Sequence, residues 1–330
     1  MKKQVTMRDV AKLAGVTQPT VSYVINNTAH ISDEVRNRVL RAIEELNYTP
    51  NYFARALKTS RSNLVGIVIP DIFNEYYAEI ISELERLFRL QGFSVVIHST
   101  NYMASAEETT LKSLVEYSVE AIVVAYQLNG KVGYEILREY SHPVVILEGG
   151  EASAGFPCIN TDSFYGGYTA AMHLIEQGRR RIAYIGQNNE IESLRERQRG
   201  FMEAVREQGL EEASVVLSTS GPGDKWKEGI NLGKQLLQYP LDGVVVSSDV
   251  VAVGVLRTYL QAGVRVPEDF AVIGYDDIPL AEVIIPALTT IAQPVEAMCA
   301  IAVEKIVQGL RGETIADTVL KPWLVQRETS

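Results

Sequence analysis

Polar side chains follow several of the apolar runs in this chain of 330 residues. Asp71 comes after the first run, and Ser248 and Asp276 follow later runs of the same kind. Carboxylates and hydroxyls exchange hydrogen bonds with sugar-like hydroxyls, and Arg197, near the start of a predicted helix, adds a bidentate donor. Aromatic side chains that could cover such a ligand are Phe73, Tyr76 and Tyr165. The set fits a small polyhydroxylated ligand, although an Asp after a strand often caps the next helix instead, which is our interpretation of Asp249.

The sequence lacks familiar catalytic motifs. There is no Walker phosphate loop, no His-Glu-x-x-His and no Gly-x-Ser-x-Gly elbow. The four histidines are scattered, without a metal partner at ligand spacing. Asp276 and Asp277 form a carboxylate pair, but neighbouring residues of an extended segment point apart, which disfavours a shared catalytic proton. We therefore expect a binding protein that uses neither a metal nor a cofactor.

Charge is distributed unevenly along the chain. The first sixty residues hold nine basic and five acidic side chains, a net charge of +4, while the whole chain has a net charge of -10. A small basic end on an acidic body is typical of proteins in which only one end contacts phosphate. On charge alone, a solvated helical surface remains the alternative interpretation.

The basic end carries the signals of three helices. Thr6 can cap a first helix with an apolar face of Val10, Leu13 and Ala14, and Gly15 can end it. Thr17 can cap a second helix and Ser32 a third. Two short helices around a turn with glycine, braced by a third helix, indicate a helix-turn-helix unit, whose second helix meets base edges in the major groove of DNA. The exposed candidates for those contacts are Thr17, Gln18, Thr20, Ser22 and Tyr23.

These residues also carry a family resemblance. Residues 6–17, Thr20–Asn26 and Leu46–Asn51 closely resemble the head of the LacI/GalR family of bacterial transcription regulators. The resemblance implies that the second helix is a recognition helix. It also implies that Asn51–Lys58, too short to be stable as an isolated helix, is a hinge helix ordered on operator DNA, with its leucine in the minor groove. The further DNA-binding candidates are Thr6, Asn26, Ala54, Arg55, Leu57 and Lys58.

Beyond a polar linker, apolar runs alternate with amphipathic helical stretches. This alternation predicts parallel sheets covered by helices on both faces, and two such series divided near residue 161 predict two lobes. The fold class is an all-α helix-turn-helix head followed by an α/β body. The expected domains are 1–49, a hinge and linker at 50–62, and 63–330, with one lobe of about 63–161 and 292–325 and the other of about 162–291. Ligands of such sheets bind beyond the carboxyl ends of the strands.

The body resembles the effector domain of the same family, which shares its fold with periplasmic sugar-binding proteins. Ile69–Asp71, Gly274–Asp277 and Gln293–Pro294 are among the matching segments. The resemblance implies that Arg197 and Asp276 bind ligand hydroxyls, and that a homodimer reads a pseudo-palindromic operator. Ser248 stands where the family usually has Asn or Thr, so its shorter side chain favours a different ligand or a bridging water.

Together these observations predict a DNA-binding transcriptional regulator, a repressor, controlled by a small-molecule effector that is a sugar or a sugar derivative. The apolar runs are too short to span a membrane, and the first residues show no secretory signal, so we expect a cytoplasmic protein without a membrane partner. Two alternatives stay open: a solute-binding protein of a transport system, and a sugar-converting enzyme on the same body.

Overall fold

The computed structural model describes residues 5–26, 29–48, 62–153, 155–187, 191–219 and 223–330. The chain forms two compact units, a head, Met1–Ser62, and a body, Asn63–Ser330. The predicted hinge contacts lie outside the described residues: Ala54, Arg55, Leu57 and Lys58. Among the residues that are described, no helix is long and apolar enough to cross a bilayer.

The head consists of three helices, α1 (Met7–Ala14), α2 (Gln18–Asn26) and α3 (Asp33–Glu45). Their apolar faces form a small core, as the helical spacing predicts, in which Val10, Val21 and Val39 are fully buried. The helix signals act much as expected. The Thr6 amide donates to the Asp9 carboxylate at 2.9 Å, and Gly15 ends α1 with a φ of 63°.

Two details of the head differ from the sequence prediction. Leu13 is 46% exposed, because the turn of α1 places Ala11 rather than Leu13 in the core. Ser32 precedes α3, but its side chain makes no capping hydrogen bond. The prediction of three packed helices is unaffected, since the core is built from the other apolar positions.

The first lobe of the body is built on a parallel sheet. Its strands are β1 (Leu64–Ile69), β2 (Ser94–Ser99), β3 (Ala121–Val124), β4 (Val144–Leu147), β5 (Cys158–Thr161) and β11 (Thr318–Leu320), in the order β11-β5-β4-β3-β1-β2. Its helices are α4 (Glu75–Leu90), α5 (Ala104–Glu116), α6 (Lys131–Glu139) and α12 (Val295–Leu310). The short central strands are continuous apolar runs because helices cover both of their faces.

The second lobe repeats this plan. Its strands are β6 (Ile182–Gln187), β7 (Val215–Thr219), β8 (Gly243–Val246), β9 (Ala271–Asp276), β10 (Thr289–Ala292) and β12 (Trp323–Val325), in the order β12-β10-β9-β8-β6-β7. Its helices are α7 (Ser163–Glu176), α8 (Glu192–Glu207), α9 (Lys225–Leu236), α10 (Asp249–Gln261) and α11 (Pro279–Val283). All neighbouring strands are parallel except β12, which runs antiparallel to β10.

The chain passes between the lobes three times: after β5, after β10 and after β11. The last passage differs from the expected lobe boundary. Residues 323–325 were expected in the first lobe, but β12 pairs with β10, so this strand belongs to the second sheet. In each sheet the strand order reverses beside the first strand, between β1 and β3 and between β6 and β8. Such reversal points open a crevice at the carboxyl ends of the strands, where ligands bind.

Helices α7 and α8 cross closely because glycines line their contact. A Cβ atom on Gly167 would lie 1.9 Å from the Arg197 carbonyl oxygen, and one on Gly200 would lie 2.0 Å from the Phe164 carbonyl oxygen. Both atoms belong to backbone, which cannot rotate away as a side chain can. The absence of these side chains therefore fixes the distance between the helices, and with it the position of Arg197.

We expect Gly200→Ala to destabilise the body by about 1–3 kcal/mol, because the added methyl group must push the two helices apart. Urea unfolding of the full chain measures this change. Arg206→Ala is the control, since this exposed residue of α8 takes part in a surface ion pair that contributes at most about 1 kcal/mol. Equal unfolding midpoints for both variants would show that the helices can separate at little cost.

Candidate ligand site and nucleic-acid surface

The carboxyl ends of the two sheets border a cavity of about 80 Å³. One water molecule needs roughly 10–15 Å³ on this measure, so the cavity has room for a compact polar ligand. Five of the seven predicted ligand-site residues line it: Asp71, Tyr76, Arg197, Ser248 and Asp276. The structure therefore brings together residues that are up to 205 positions apart in the sequence, as expected for strand ends at two reversal points.

The other two predicted residues, Phe73 and Tyr165, do not line this cavity. Phe73 is 88% exposed and borders an adjoining outer cavity of about 760 Å³ together with Trp226. Tyr165 lies in the first turn of α7, and the Lys321 ammonium rests 3.8 Å from the centre of its ring. Proximity to a strand end placed both residues in the prediction, but neither side chain points into the inner cavity.

Arg197 is the central cation of the inner cavity. It projects from α8 and is 5% exposed. Its Nη1 atom donates to the Ser247 carbonyl oxygen at 2.9 Å and lies 3.8 Å from Asp276 Oδ1. The guanidinium carbon sits 3.7 Å from the centre of the Tyr275 ring, which gives the charge an aromatic platform. The guanidinium is thus held in one orientation before any ligand arrives.

Asp276 occupies a strained backbone position at the end of β9. Its φ is 119° and that of Asp277 is 61°, values that cost residues other than glycine roughly 1–3 kcal/mol each. The Asp276 carboxylate accepts a hydrogen bond from Gln293 Nε2 at 2.8 Å. Burial raises the pKa of Asp276 to about 7, and Arg197 acts in the opposite direction. Strain and burial of this kind cluster at functional sites.

Two residues that the candidate set omitted complete the buried network. Glu148 follows β4, and its Oε1 atom accepts hydrogen bonds of 2.8 Å from the Thr161 amide and hydroxyl. Burial raises the pKa of Glu148, while Arg197 and the bonds from Thr161 lower it. Gln293, on the passage after β10, accepts from the Tyr76 hydroxyl at 3.3 Å while it donates to Asp276. Glu148 could have been found, because it follows an apolar strand as Asp71 does.

Neighbouring acids have structural partners. Asp249 Oδ2 accepts from the Ile278 amide at 3.0 Å and Oδ1 accepts from the Thr290 hydroxyl at 2.6 Å. Asp249 is the first residue of α10 and Ser248 is its N-cap, so the prediction that Asp249 caps this helix is wrong. Its carboxylate instead ties the start of α10 to later segments. Asp277 pairs with Arg327 at 2.7 Å, away from Asp276 and its partner Gln293. The two adjacent carboxylates therefore share no common partner in these contacts.

The head presents a polar surface on α2. Gln18 is exposed at the start of this helix, and Tyr23 is 45% exposed. The hydroxyls of Thr17 and Thr20 lie 2.9 Å apart, so each orients the other. Ser22 is half-buried, and Thr6 is exposed before α1, where its hydroxyl donates to Asp9. Asn26 ends α2, and its side chain lies outside the described part of the chain.

The described residues contain no cluster of three or more His, Cys, Asp or Glu side chains arranged to hold a metal ion. The polar groups of the inner cavity are instead carboxylates, three side-chain amides, hydroxyls, one guanidinium and the Lys225 ammonium. This donor and acceptor set can form hydrogen bonds with a polar organic molecule.

Comparison with known proteins finds relatives of both the head and the body. Residues 6–51 match the model of the lacI family of bacterial regulatory proteins, and residues 171–330 match a periplasmic binding protein-like domain. The ribose operon repressor of Escherichia coli K12 is 33% identical over 98% of both chains. The structure of the lac repressor dimer bound to operator and the anti-inducer ONPF superposes with a TM-score of 0.87 at 26% identity over 99% of each chain. A LacI family regulator from Enterococcus faecium with bound ribose covers 81% of this chain and 98% of its own, with a TM-score of 0.73 and 25% identity.

The raised pKa of Asp276 predicts a dependence of stability on pH. An unfolded Asp releases its proton near pH 4, whereas folded Asp276 retains it up to about pH 7. The unfolding free energy contributed by this group should therefore fall as the pH rises from about 4 to about 7. We expect thermal unfolding at several pH values to show this decline in the parent and a weaker decline in Asp276→Asn. Exposed Asp33→Asn is the control, and it should follow the parent. Parallel curves for Asp276→Asn and the parent would contradict the prediction.

Proposed function

This chain belongs to the LacI family of bacterial regulatory proteins. On that premise we propose that it is a DNA-binding repressor controlled by a small-molecule effector, with one activity in each of its two units. The head reads DNA and the body binds the effector. The single observation that carries the proposal for the body is the buried set of Arg197, Asp276 and Glu148 around one cavity. Such a regulator acts in the bacterial cytoplasm, where its operator lies.

The exposed start of α2 is the proposed reading surface. Gln18 can form two hydrogen bonds with an adenine edge in the major groove, and Tyr23 can contact the sugar-phosphate backbone. Thr17, Thr20, Ser22 and Asn26 extend this surface, and Thr6 adds a contact at the start of α1. The hinge residues Arg55, Leu57 and Lys58, with Ala54, would then enter or flank the minor groove, where a leucine wedge bends the duplex.

The inner cavity is the proposed effector site, and a carbohydrate is its proposed ligand class. Sugars present several hydroxyls that both donate and accept, which suits a wall of carboxylates, side-chain amides, a guanidinium and an ammonium. Asp71, Tyr76 and Ser248 add polar groups at the edge of this set. We propose no catalytic role for Asp276, because its carboxylate is engaged by Gln293 and faces Arg197.

The body has an exposed apolar surface suited to a homodimer. Phe73, Val283 and Ile285 are 88%, 71% and 90% exposed. The Glu75 carboxylate accepts a hydrogen bond from the Leu280 amide at 3.1 Å, so the start of α4 and the start of α11 lie side by side. Exposed apolar surface of this kind favours association. A second copy covering it would give the two-fold symmetry that a pseudo-palindromic operator requires.

Two variants separate the two proposed activities. Gln18→Ala should weaken specific operator binding by about 1–3 kcal/mol per head, because a bidentate base contact is lost. Arg197→Ala should keep operator binding but abolish its response to the effector. Fluorescence anisotropy with genomic operator fragments, with and without a metabolite extract, measures both. Exposed Asn37→Ala in α3 serves as a control for Gln18. A preserved effector response in Arg197→Ala would remove this residue from the site.

The proposed dimer surface is tested by Ile285→Asp. A buried, unpaired carboxylate opposes association strongly, so we expect a monomer in sedimentation at concentrations where the parent is a dimer. Val319→Asp is the matched control, since Val319 is 67% exposed on the edge strand β11, away from this surface. A parent-like mass for Ile285→Asp would place the dimer interface elsewhere.

A further inference from the structure

Glu148 offers an acceptor atom to which no described residue donates. The residue is 7% exposed and lines the inner cavity. Its Oε1 atom is occupied by the Thr161 amide and hydroxyl, each at 2.8 Å. Its Oε2 atom is buried and has no hydrogen-bond partner. A buried carboxylate oxygen without a donor is costly, so the cavity wall is incomplete at this point until a molecule donates to it.

The charge around this oxygen disfavours an anion. Two buried carboxylates, Glu148 and Asp276, border the cavity, and Arg197 offsets the charge of both. The guanidinium donates from Nη1 to the Ser247 carbonyl oxygen and its face rests on the Tyr275 ring, although its buried Nε has no hydrogen-bond partner. A phosphate beside Glu148 would place like charges together where water cannot screen them well. A hydroxyl hydrogen has no such penalty.

Most of the other features at this cavity that could attract an anion already have a partner in the protein. Lys225 lines the cavity, but its ammonium lies 3.4 Å from the Glu228 carboxylate. Four helices begin at the cavity, and side chains of the protein accept an amide hydrogen bond at the start of three of them. Asn74 accepts from the Tyr76 amide at the start of α4, Gln127 accepts from the Glu192 amide at the start of α8, and Asp224 accepts from the Lys227 amide at the start of α9. At the start of α10, the Ser248 side chain makes no capping hydrogen bond. The three helix ends with such a partner therefore offer a phosphate less than uncapped ends would.

We propose that the effector is an uncharged polyhydroxylated molecule that donates a hydroxyl hydrogen bond to Glu148 Oε2, and that the site discriminates against phosphate esters of such molecules. The inference rests on the proposed function, in which this cavity binds the effector. It narrows the ligand class from sugars and their derivatives to unphosphorylated polyols and sugars. Glu148 is thereby the residue that sets this specificity.

Glu148→Gln tests this proposal directly, because the orientation of the new side-chain amide group is constrained. The Thr161 amide can only donate, and it points at Oε1 from 2.8 Å, so the carbonyl oxygen of the new side chain must occupy that position. The new amide nitrogen then points at the cavity, where it replaces an acceptor with a donor of nearly the same size. Loss of a charge-assisted hydrogen bond should weaken binding of an uncharged sugar by about 10- to 100-fold.

The experiment measures thermal unfolding of the full chain with D-ribose, D-glucose, D-galactose and D-fructose, each beside its terminal phosphate ester. A bound ligand raises the unfolding temperature according to its affinity. We expect at least one free sugar to stabilise the parent, and its ester to bind about 10-fold or more weakly. In Glu148→Gln the difference in affinity between the free sugar and its ester should become smaller, whereas the exposed variant Glu139→Gln should keep the difference seen in the parent.

The inference is overturned if an ester stabilises the parent as much as its free sugar, if no free sugar stabilises it, or if Glu148→Gln retains the full preference. Binding of the parent and of Glu148→Gln to operator fragments is measured in the same preparations. Intact operator binding alongside a preference for esters would overturn this inference and leave the proposed function standing. Loss of operator binding in the parent would count against the proposed function itself.

Discussion

A single buried guanidinium among buried carboxylates is the constraint on which the body depends. Charges withdrawn from water are tolerated only when they are paired and held in a fixed geometry. Arg197 meets this condition through the Ser247 carbonyl, the Tyr275 ring and the nearby Asp276 carboxylate. Each partner stands at the carboxyl end of a strand in the second sheet. The parallel sheet therefore does more than form a core, because it also brings together the groups that stabilise the buried Arg197 guanidinium.

The same network joins the two lobes. Glu148 and Thr161 belong to the first lobe, Arg197 and Asp276 to the second, and Gln293 lies on a passage between them. Gln293 donates to Asp276 on one side and accepts from Tyr76 on the other. A ligand that reorganises these bonds acts on both lobes at once. Coupling of roughly 1–3 kcal/mol is enough to change the affinity of a second site by about 5- to 150-fold.

Long periodic segments were predictable from the sequence, and isolated contacts were not. Helix α4 has a long helical period, and β3 and β4 are buried apolar runs, so each leaves a clear pattern in the sequence. The strands β5, β7 and β10 are short or half-polar, so they leave only a weak pattern. For the site, the rule that polar residues follow strands found Asp71 and Asp276 but was not applied after β4. Tyr165 was included although Lys321, 156 residues away, holds its ring elsewhere, and no local pattern reveals such a contact.

The last strands of the chain give the body a shared anchor. Only Lys321 and Pro322 separate β11, an edge strand of the first sheet, from β12, an edge strand of the second. Neither lobe is a continuous stretch of sequence, so neither can be excised as a self-sufficient fragment. Both sheets are incomplete until the same final residues have been synthesised. A chain that ends near residue 315 therefore has an unpaired strand edge in each sheet. Edges of this kind recruit other chains, so truncated products of this protein are candidates for aggregation rather than for partial activity.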